Sequence, residues 1–185
     1  MIILASTSPR RSTILSMIVD KFIVMEPSVD EEELRYLSPS TMTKNLSKLK
    51  AYSISSFSYN DVIIACDTIV IFNDEIFEKP KSAIEAEFML NQLSGNTHIV
   101  LTSYTILYGE KEINKTIKTY VTFNTLSKEL ISNYVASKLW VGKAGGYGIQ
   151  DKKYDLVNHI SGSYFNVMGF PLEEIKKDLK SLLII

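Results

Sequence analysis

The chain has 185 residues, 45% hydrophobic and 22% charged, with a formal net charge of −1. That length supports one domain, residues 1–185, with a substantial core, and the near-neutral balance gives no sign of a nucleic-acid coat or a membrane-surface binder. Cys66, His98 and His159 are the whole Cys/His inventory, which excludes an intrachain disulfide and a conventional structural zinc site and leaves only a hard, oxygen-ligated metal in play. No apolar run approaches the length of a membrane-spanning helix, and the N-terminus lacks the pattern of a secretion signal, so a cytoplasmic protein is expected.

In chain order, Ile2-Ile3-Leu4-Ala5 reads as a buried strand and Ser12 to Ile18 as the body of a helix. Between them lies Ser6-Thr7-Ser8-Pro9-Arg10-Arg11, with Ser8 suited to the N-cap and Pro9 to the first turn. Two serines and two arginines at a strand-to-helix turn suit an anion such as phosphate, and equally suit an ordinary capped helix with solvated arginines. Phe22 to Met25 forms a second short strand, followed by the acidic run from Asp30 to Glu33. Asp30 and Glu31 fit either Mg²⁺ ligation or a solvated acidic loop. Ser38-Pro39 opens a helix with Met42, Leu46 and Leu49 on one face and Lys44, Lys48 and Lys50 on the others.

Val62 to Cys66 is a buried strand running into Asp67-Thr68 and then Ile69 to Phe72. Asp67 interrupts an otherwise apolar run, where an ionised carboxylate is costly unless it is paired, hydrogen-bonded or metal-bound. It is the strongest candidate for chemistry in the chain; the bland alternative is a strand end or bulge at the surface. Thr68 beside it suits either ligand orientation or a plain strand position. Cys66 reads as a small buried hydrophobe rather than a nucleophile. Asn73-Asp74 marks a turn, Ile76 to Pro80 returns from it, and Pro80 holds Lys79 extended. Ser82 to Glu85 is a capping box before Ala86, Met89, Leu90 and Leu93, and Gly95 ends that helix.

His98 to Tyr108 and Glu112 to Phe123 form a hairpin around Gly109-Glu110-Lys111, and Ser127 caps a helix that buries Leu130, Ile131, Tyr134 and Val135. Lys143 to Gln150 is glycine-rich but matches neither phosphate-loop order. Gln150 offers a donor beside an acceptor, the complement of the N3–H and carbonyl of uracil or thymine. Leu156 to Val167 reads as strand-turn-strand, and Pro171 starts a last helix with Leu172, Ile175, Leu179 and Leu182 inward.

Taken together, Leu4 to Arg11, Leu49-Lys50-Ala51, Asp67 to Val70, Glu78-Lys79-Pro80, Leu93 to His98, Lys143 to Gln150, Gly162-Ser163-Tyr164 and Val167 to Pro171 resemble the Maf family of nucleotide pyrophosphatases over nearly the whole chain. The resemblance implies a mixed α/β fold like that of the inosine triphosphatases: an elongated central sheet flanked by helices, in two lobes around a cleft. It implies hydrolysis of a nucleoside triphosphate to the monophosphate and pyrophosphate, clearing unwanted or modified nucleotides, with Mg²⁺ or Mn²⁺. Asp-Thr after the central strand and Tyr-Gly-Ile-Gln after the lysine look like the dTTP/UTP branch, in which Arg10, Thr68 and Gln150 select the base. Asp67 is then the proton acceptor and a metal ligand, with Asp30 or Glu31 as a second carboxylate. Ser6, Ser8, Arg10, Arg11, Lys50 and Lys79 face the phosphates. A homodimer is expected, with no nucleic-acid or membrane partner. The alternatives are 7-methyl-GTP or another modified nucleotide as substrate, or a non-catalytic nucleotide-binding regulator of cell division. One departure stands out: the family's acid before the lysine is missing, because Leu139-Trp140-Val141-Gly142 precedes Lys143.

Overall fold

The computed structural model describes residues 1–30, 34, 37–55 and 58–185. Its elements run β1 (Ile2–Ala5), α1 (Pro9–Leu15), β2 (Ile23–Met25), α2 (Pro39–Tyr52), β3 (Val62–Phe72), β4 (Glu75–Phe77), α3 (Ala83–Leu93), β5 (Thr97–Tyr108), β6 (Lys111–Phe123), α4 (Lys128–Ala136), β7 (Val157–Ser161), α5 (Tyr164–Val167) and α6 (Leu172–Ser181). The strands pair in the order β2-β1-β3-β5-β6-β7, with β4 added to β3. β1 is parallel to β2 and to β3, whereas β4 and β7 are antiparallel to their neighbours, so the sheet is mixed as expected.

The chain divides into two compact units, one of residues 1–68, 102–117 and 169–185, the other of residues 69–101 and 118–168. In the first unit, pleat alternation sorts the strand residues by face. Ile3, Ala5, Ile63 and Ala65 pack with Ala51 and Ile54. Ser103 donates to Thr43 Oγ1 of α2 at 2.8 Å, and Thr105 shares a 3.0 Å hydrogen bond with Ser47. This is the α2 face. On the other face Tyr104 donates to Asp178 Oδ2 of α6 at 2.6 Å.

The α2 contacts correct the helical stripe read from sequence. Met42 and Leu46 are buried, but Leu49 is 43% exposed, and Thr43 and Ser47 fill the buried face instead. β5 presents hydroxyls there, so polar partners on the helix satisfy them where leucine would leave them orphaned. Lys50 likewise turns inward, with its side chain only 12% exposed.

In the second unit the core gathers Leu90 and Leu93 of α3, Ile131 and Tyr134 of α4, and Val121 and Phe123 of β6. The Asn73-Asp74 turn holds both residues in the left-handed region, at φ 50° and 63°, as a two-residue hairpin demands. The expected second strand after Ser161-Gly162-Ser163 is instead the helix α5. Ser163 Oγ accepts from Asn166 N at 3.0 Å, and Asn166 Nδ2 donates to Val100 O and Thr119 Oγ1; this cap and the buried amide favour a helical turn over an extended chain.

Two groups in these cores carry measurable consequences. Asp178 is buried and also accepts from Lys115 Nζ at 2.6 Å. Asp178→Ala leaves the buried Tyr104 hydroxyl without an acceptor and is expected to lower stability by about 2 kcal/mol in urea unfolding; a loss below about 0.5 kcal/mol contradicts this account of α6 docking. His98 is 1% exposed, meets Tyr147 Oη at 2.7 Å, and burial pushes its pKa down to about 4. The folded state therefore favours neutral imidazole. That contribution is complete above the unfolded pKa near 6.5 and is lost as pH falls toward 4, on the order of 3 kcal/mol in all. Wild type should lose that much more stability than His98→Gln between pH 7 and pH 4; parallel profiles would contradict it.

Candidate functional site

β1 and β3 run parallel in the register Ile2↔Val62, Ile3↔Ile63, Leu4↔Ile64, and β1 ends at Ala5. Carrying that register on sets Ser6 level with Cys66, one residue short of Asp67. The notch beyond the carboxyl end of β1 is the place where parallel α/β sheets leave room for a ligand. Asp67 is 7% exposed within continuous strand, so the surface-bulge alternative does not hold. Lys50 Nζ of α2 donates to its Oδ1 at 2.6 Å. Asp67 Oδ2 receives no hydrogen bond from the described side chains or backbone.

Thr68, next along β3, emerges on the opposite face, where it meets α1. Arg11 makes three directed bonds, from Nε to Gly169 O at 2.9 Å, from Nη1 to Ser6 Oγ at 3.2 Å and from Nη2 to Thr68 Oγ1 at 3.2 Å. Ser6 Oγ also accepts from Ser8 N at 3.2 Å, and Thr68 Oγ1 shares a 3.0 Å hydrogen bond with Thr102. A hydroxyl has two acceptor positions and one proton. Ser6 has filled both acceptor positions, so toward a ligand it can only donate, which suits a phosphate oxygen. Ser8 takes the N-cap position of α1, but its side chain makes no capping bond. With 7 residues α1 carries little dipole, so the anion preference of this turn rests on Ser6 and the arginines. Arg10 lies in the first turn of α1, partly exposed.

The thiol between these groups reports their closeness. Burial pushes Cys66 up to about 12, and the charges of Arg11, Asp67 and Lys50 all act on it. A thiol so buried and so far from ionising behaves as a small apolar filler, as expected.

Of the remaining sequence candidates, Asp30 is exposed in the first unit and Glu31 lies outside the described residues. Lys79, exposed after β4, and Gln150, partly exposed after the glycine-rich loop, belong to the second unit. That loop makes a 3₁₀ turn, Ala144–Gly146, with Gly145 at φ 69° and its amide donating to Glu78 O at 3.1 Å. A side chain at Gly145 would meet Val70 Cγ2 at 2.9 Å, so both backbone conformation and space require glycine. Lys143 Nζ donates to Asp151 Oδ2 at 2.6 Å, Tyr134 Oη donates to the same oxygen at 2.7 Å, and Gly148 N donates to Tyr134 Oη at 3.0 Å. Asp151 thus supplies Lys143 with a carboxylate that the sequence lacks just before it. Burial and the Asp151 charge push the Tyr134 hydroxyl above its ordinary value.

In sequence Tyr134 reads only as a buried helix residue, and Asp151 does not stand out at all. The available signal was weak: a tyrosine on a buried helix face needs a partner for its hydroxyl, and a lysine in an otherwise buried loop needs an acid. Nothing in the spacing alone says which acid.

Among the described residues no group of three or more His, Cys, Asp or Glu side chains is placed to hold a metal ion, and no helix is long and apolar enough to cross a membrane. Asp67 nevertheless fits a Mg²⁺-type ion, because such ions commonly take one protein carboxylate together with substrate phosphates and water, and Oδ2 is available.

Comparison with known proteins agrees with the resemblance. A dTTP/UTP pyrophosphatase of Pyrococcus furiosus is 46% identical over 177 residues, 95% of this chain and 92% of that protein. Proteins of the same name from Pyrococcus abyssi and Bacillus mycoides are each 41% identical, covering 97% of this chain and 95% and 94% of theirs. The Staphylococcus aureus Ham1 protein is a partial structural match, with TM-score 0.42 and 16% identity over 66% of this chain and 70% of that one. The profile of the Maf-like protein family matches residues 1–182, and with relatives this similar along nearly its full length, the chain belongs to the Maf family.

Proposed function

We propose that the chain hydrolyses nucleoside triphosphates, dTTP and UTP foremost, to the monophosphate and pyrophosphate. One observation carries this reading: a buried carboxylate, Asp67, held by Lys50 beside the turn where Ser6 and Arg11 gather, at the carboxyl end of a parallel strand. The names of the curated relatives support the same activity and base preference.

In this reading a water attacks the α-phosphorus and Asp67 takes its proton, while the bond to the bridging oxygen of pyrophosphate breaks. Lys50 holds Oδ1, which fixes the carboxylate and directs Oδ2 to the reacting water. Ser6 donates its remaining proton to a phosphate oxygen. Arg11 fixes Ser6 and Thr68 and adds a positive charge; Arg10, Ser8 and Lys79 serve the rest of the polyphosphate. Arg10, Thr68 and Gln150 select the base, Gln150 matching the N3–H and carbonyl edge of thymine or uracil. A divalent cation, Mg²⁺ or Mn²⁺, would be held by Asp67, with Asp30 or Glu31 as further carboxylates, and when bound would offset charge on the phosphates. A homodimer in the cytoplasm is the expected setting.

Asp67→Asn keeps the size and the acceptor for Lys50 but cannot take a proton. Pyrophosphate release is expected to fall by about 10³-fold with the far-ultraviolet spectrum unchanged; near-normal turnover removes Asp67 from its role. A panel of dTTP, UTP, dCTP and 7-methyl-GTP with Mg²⁺ or Mn²⁺, read for pyrophosphate against orthophosphate, tests the reaction itself. Pyrophosphate from dTTP and UTP is expected, and orthophosphate alone contradicts cleavage at the α-phosphorus.

A further inference from the structure

A glutamine carboxamide offers an oxygen and an NH₂ of nearly equal size, and a half-turn of the group exchanges them. Uracil and thymine present a ring N–H donor beside a carbonyl; cytosine presents a ring-nitrogen acceptor beside an amino group. A freely turning glutamine therefore pairs with either pyrimidine. Only a carboxamide held in one orientation discriminates between them.

The surroundings of Gln150 carry fixed charge and fixed backbone. Lys143, Tyr134 and Asp151 form a buried cluster on one carboxylate oxygen, and the side chains of Lys143 and Asp151 are each 9% exposed. Gly148 N, two residues before Gln150, donates to Tyr134 Oη at 3.0 Å, Asp151 follows Gln150 directly, and the backbone between them closes in a turn with Asp151 N donating to Gly148 O at 3.1 Å. The carboxamide lies beside the same point. A Cβ built on Gly148 would lie 2.5 Å from Lys143 Nζ, 2.6 Å from Asp151 Oδ2 and 2.6 Å from Gln150 Nε2, so these three polar atoms converge over one glycine. A buried ion pair is seldom the cheapest way to stabilise a loop, because an apolar replacement of similar volume often serves as well. What it supplies that apolar contacts cannot is a fixed field that makes the two orientations of a neighbouring amide unequal in energy.

We propose that Tyr134, Lys143 and Asp151 are positioning residues for base selection: they lock the carboxamide of Gln150 in the orientation that accepts thymine and uracil and rejects cytosine. This rests on the proposed reaction and adds to it the residues that set its discrimination.

The test measures kcat and KM for pyrophosphate release from dTTP and dCTP in wild type, Tyr134→Phe, Asp151→Asn and Lys143→Arg, each also in a Gln150→Ala background. Tyr134→Phe and Asp151→Asn are expected to shrink the dTTP-to-dCTP ratio of kcat/KM about tenfold, chiefly through a higher KM for dTTP, with kcat within about threefold. Lys143→Arg, which keeps the charge, should retain most of the ratio. With Gln150 replaced by alanine, the same substitutions should change the ratio by less than about twofold, because the group they orient is gone. A wild-type ratio in folded Tyr134→Phe and Asp151→Asn, an equal fall in kcat for both nucleotides, or an effect undiminished in the Gln150→Ala background overturns the proposal. Should Asp151→Asn fail to fold, Tyr134→Phe, which removes one hydroxyl, decides by itself. A wild type that releases no pyrophosphate from either nucleotide overturns the reaction and this inference together, whereas an active wild type with unchanged variants overturns this inference alone.

Discussion

The charge on Asp67 is the constraint around which the first unit is built. A carboxylate 7% exposed inside a strand loses most of its hydration, and no hydrophobic contact can replace that. The compensation comes from Lys50 at 2.6 Å, on a helix that must be held at a fixed distance and rotation for the pair to form. Apolar packing tolerates small slides of a helix over a sheet; directional hydrogen bonds do not. The α2 face of β5 is accordingly lined with hydroxyls. Ser103 joins Thr43 and Thr116, and Asn114 Nδ2 donates to Thr105 Oγ1, Ser47 Oγ and the Lys44 carbonyl. The register of α2 is thereby fixed one turn away from Lys50, and the ion pair inherits that precision.

The same pleat that buries Asp67 toward α2 turns Thr68 toward α1, so one dipeptide serves two faces of the sheet. This works only at the end of β1. Further back along β3 a neighbouring strand would keep the two faces apart; past Ala5 it no longer does. Arg11 is suited to the Thr68 side because its donors point in three directions at once, to a backbone carbonyl and two hydroxyls. An ammonium at this position would carry the charge without the planar fork that fixes Ser6 and Thr68 relative to each other.

Much of this was legible in sequence, for identifiable reasons. Turn and cap residues act locally, so Asn73-Asp74, Ser82 and Ser127 marked their elements correctly: the first pair takes up left-handed backbone, and the two serines accept from Glu85 N and Leu130 N. Asp67 stood out because an acid amid Val, Ile and Phe breaks the pattern that surrounds it. What the sequence did not reveal depends on partners distant along the chain. Leu49 sits at helical spacing from Met42 and Leu46, yet the facing strand offers hydroxyls, so Thr43 and Ser47 take the buried positions. The stretch after Gly162 has strand-like composition, yet Asn166 is required by Val100 O and Thr119 Oγ1 and draws the chain into a helix. Periodicity reports the burial of a segment but not the chemistry of the surface it is buried against.

Asp151 shows the same limit from the opposite side. Lys143 lacks the acid that precedes it in the family pattern, and a loss in sequence is easily mistaken for a loss in structure. The carboxylate is present, eight positions later, and it is joined there by the Tyr134 hydroxyl. A buried ammonium requires an anion within bonding distance but places no requirement on which residue supplies it. The geometric constraint falls on the loop between the two charges, which must close so that positions 143 and 151 meet. Glycines at 145 and 146, both at left-handed φ, and the bare Cα of Gly148 beneath the converging polar atoms meet that requirement. Gly145 and Gly146 are therefore part of how the ion pair forms, and Gln150 is carried between the two ends of a contact that spacing along the chain could not disclose.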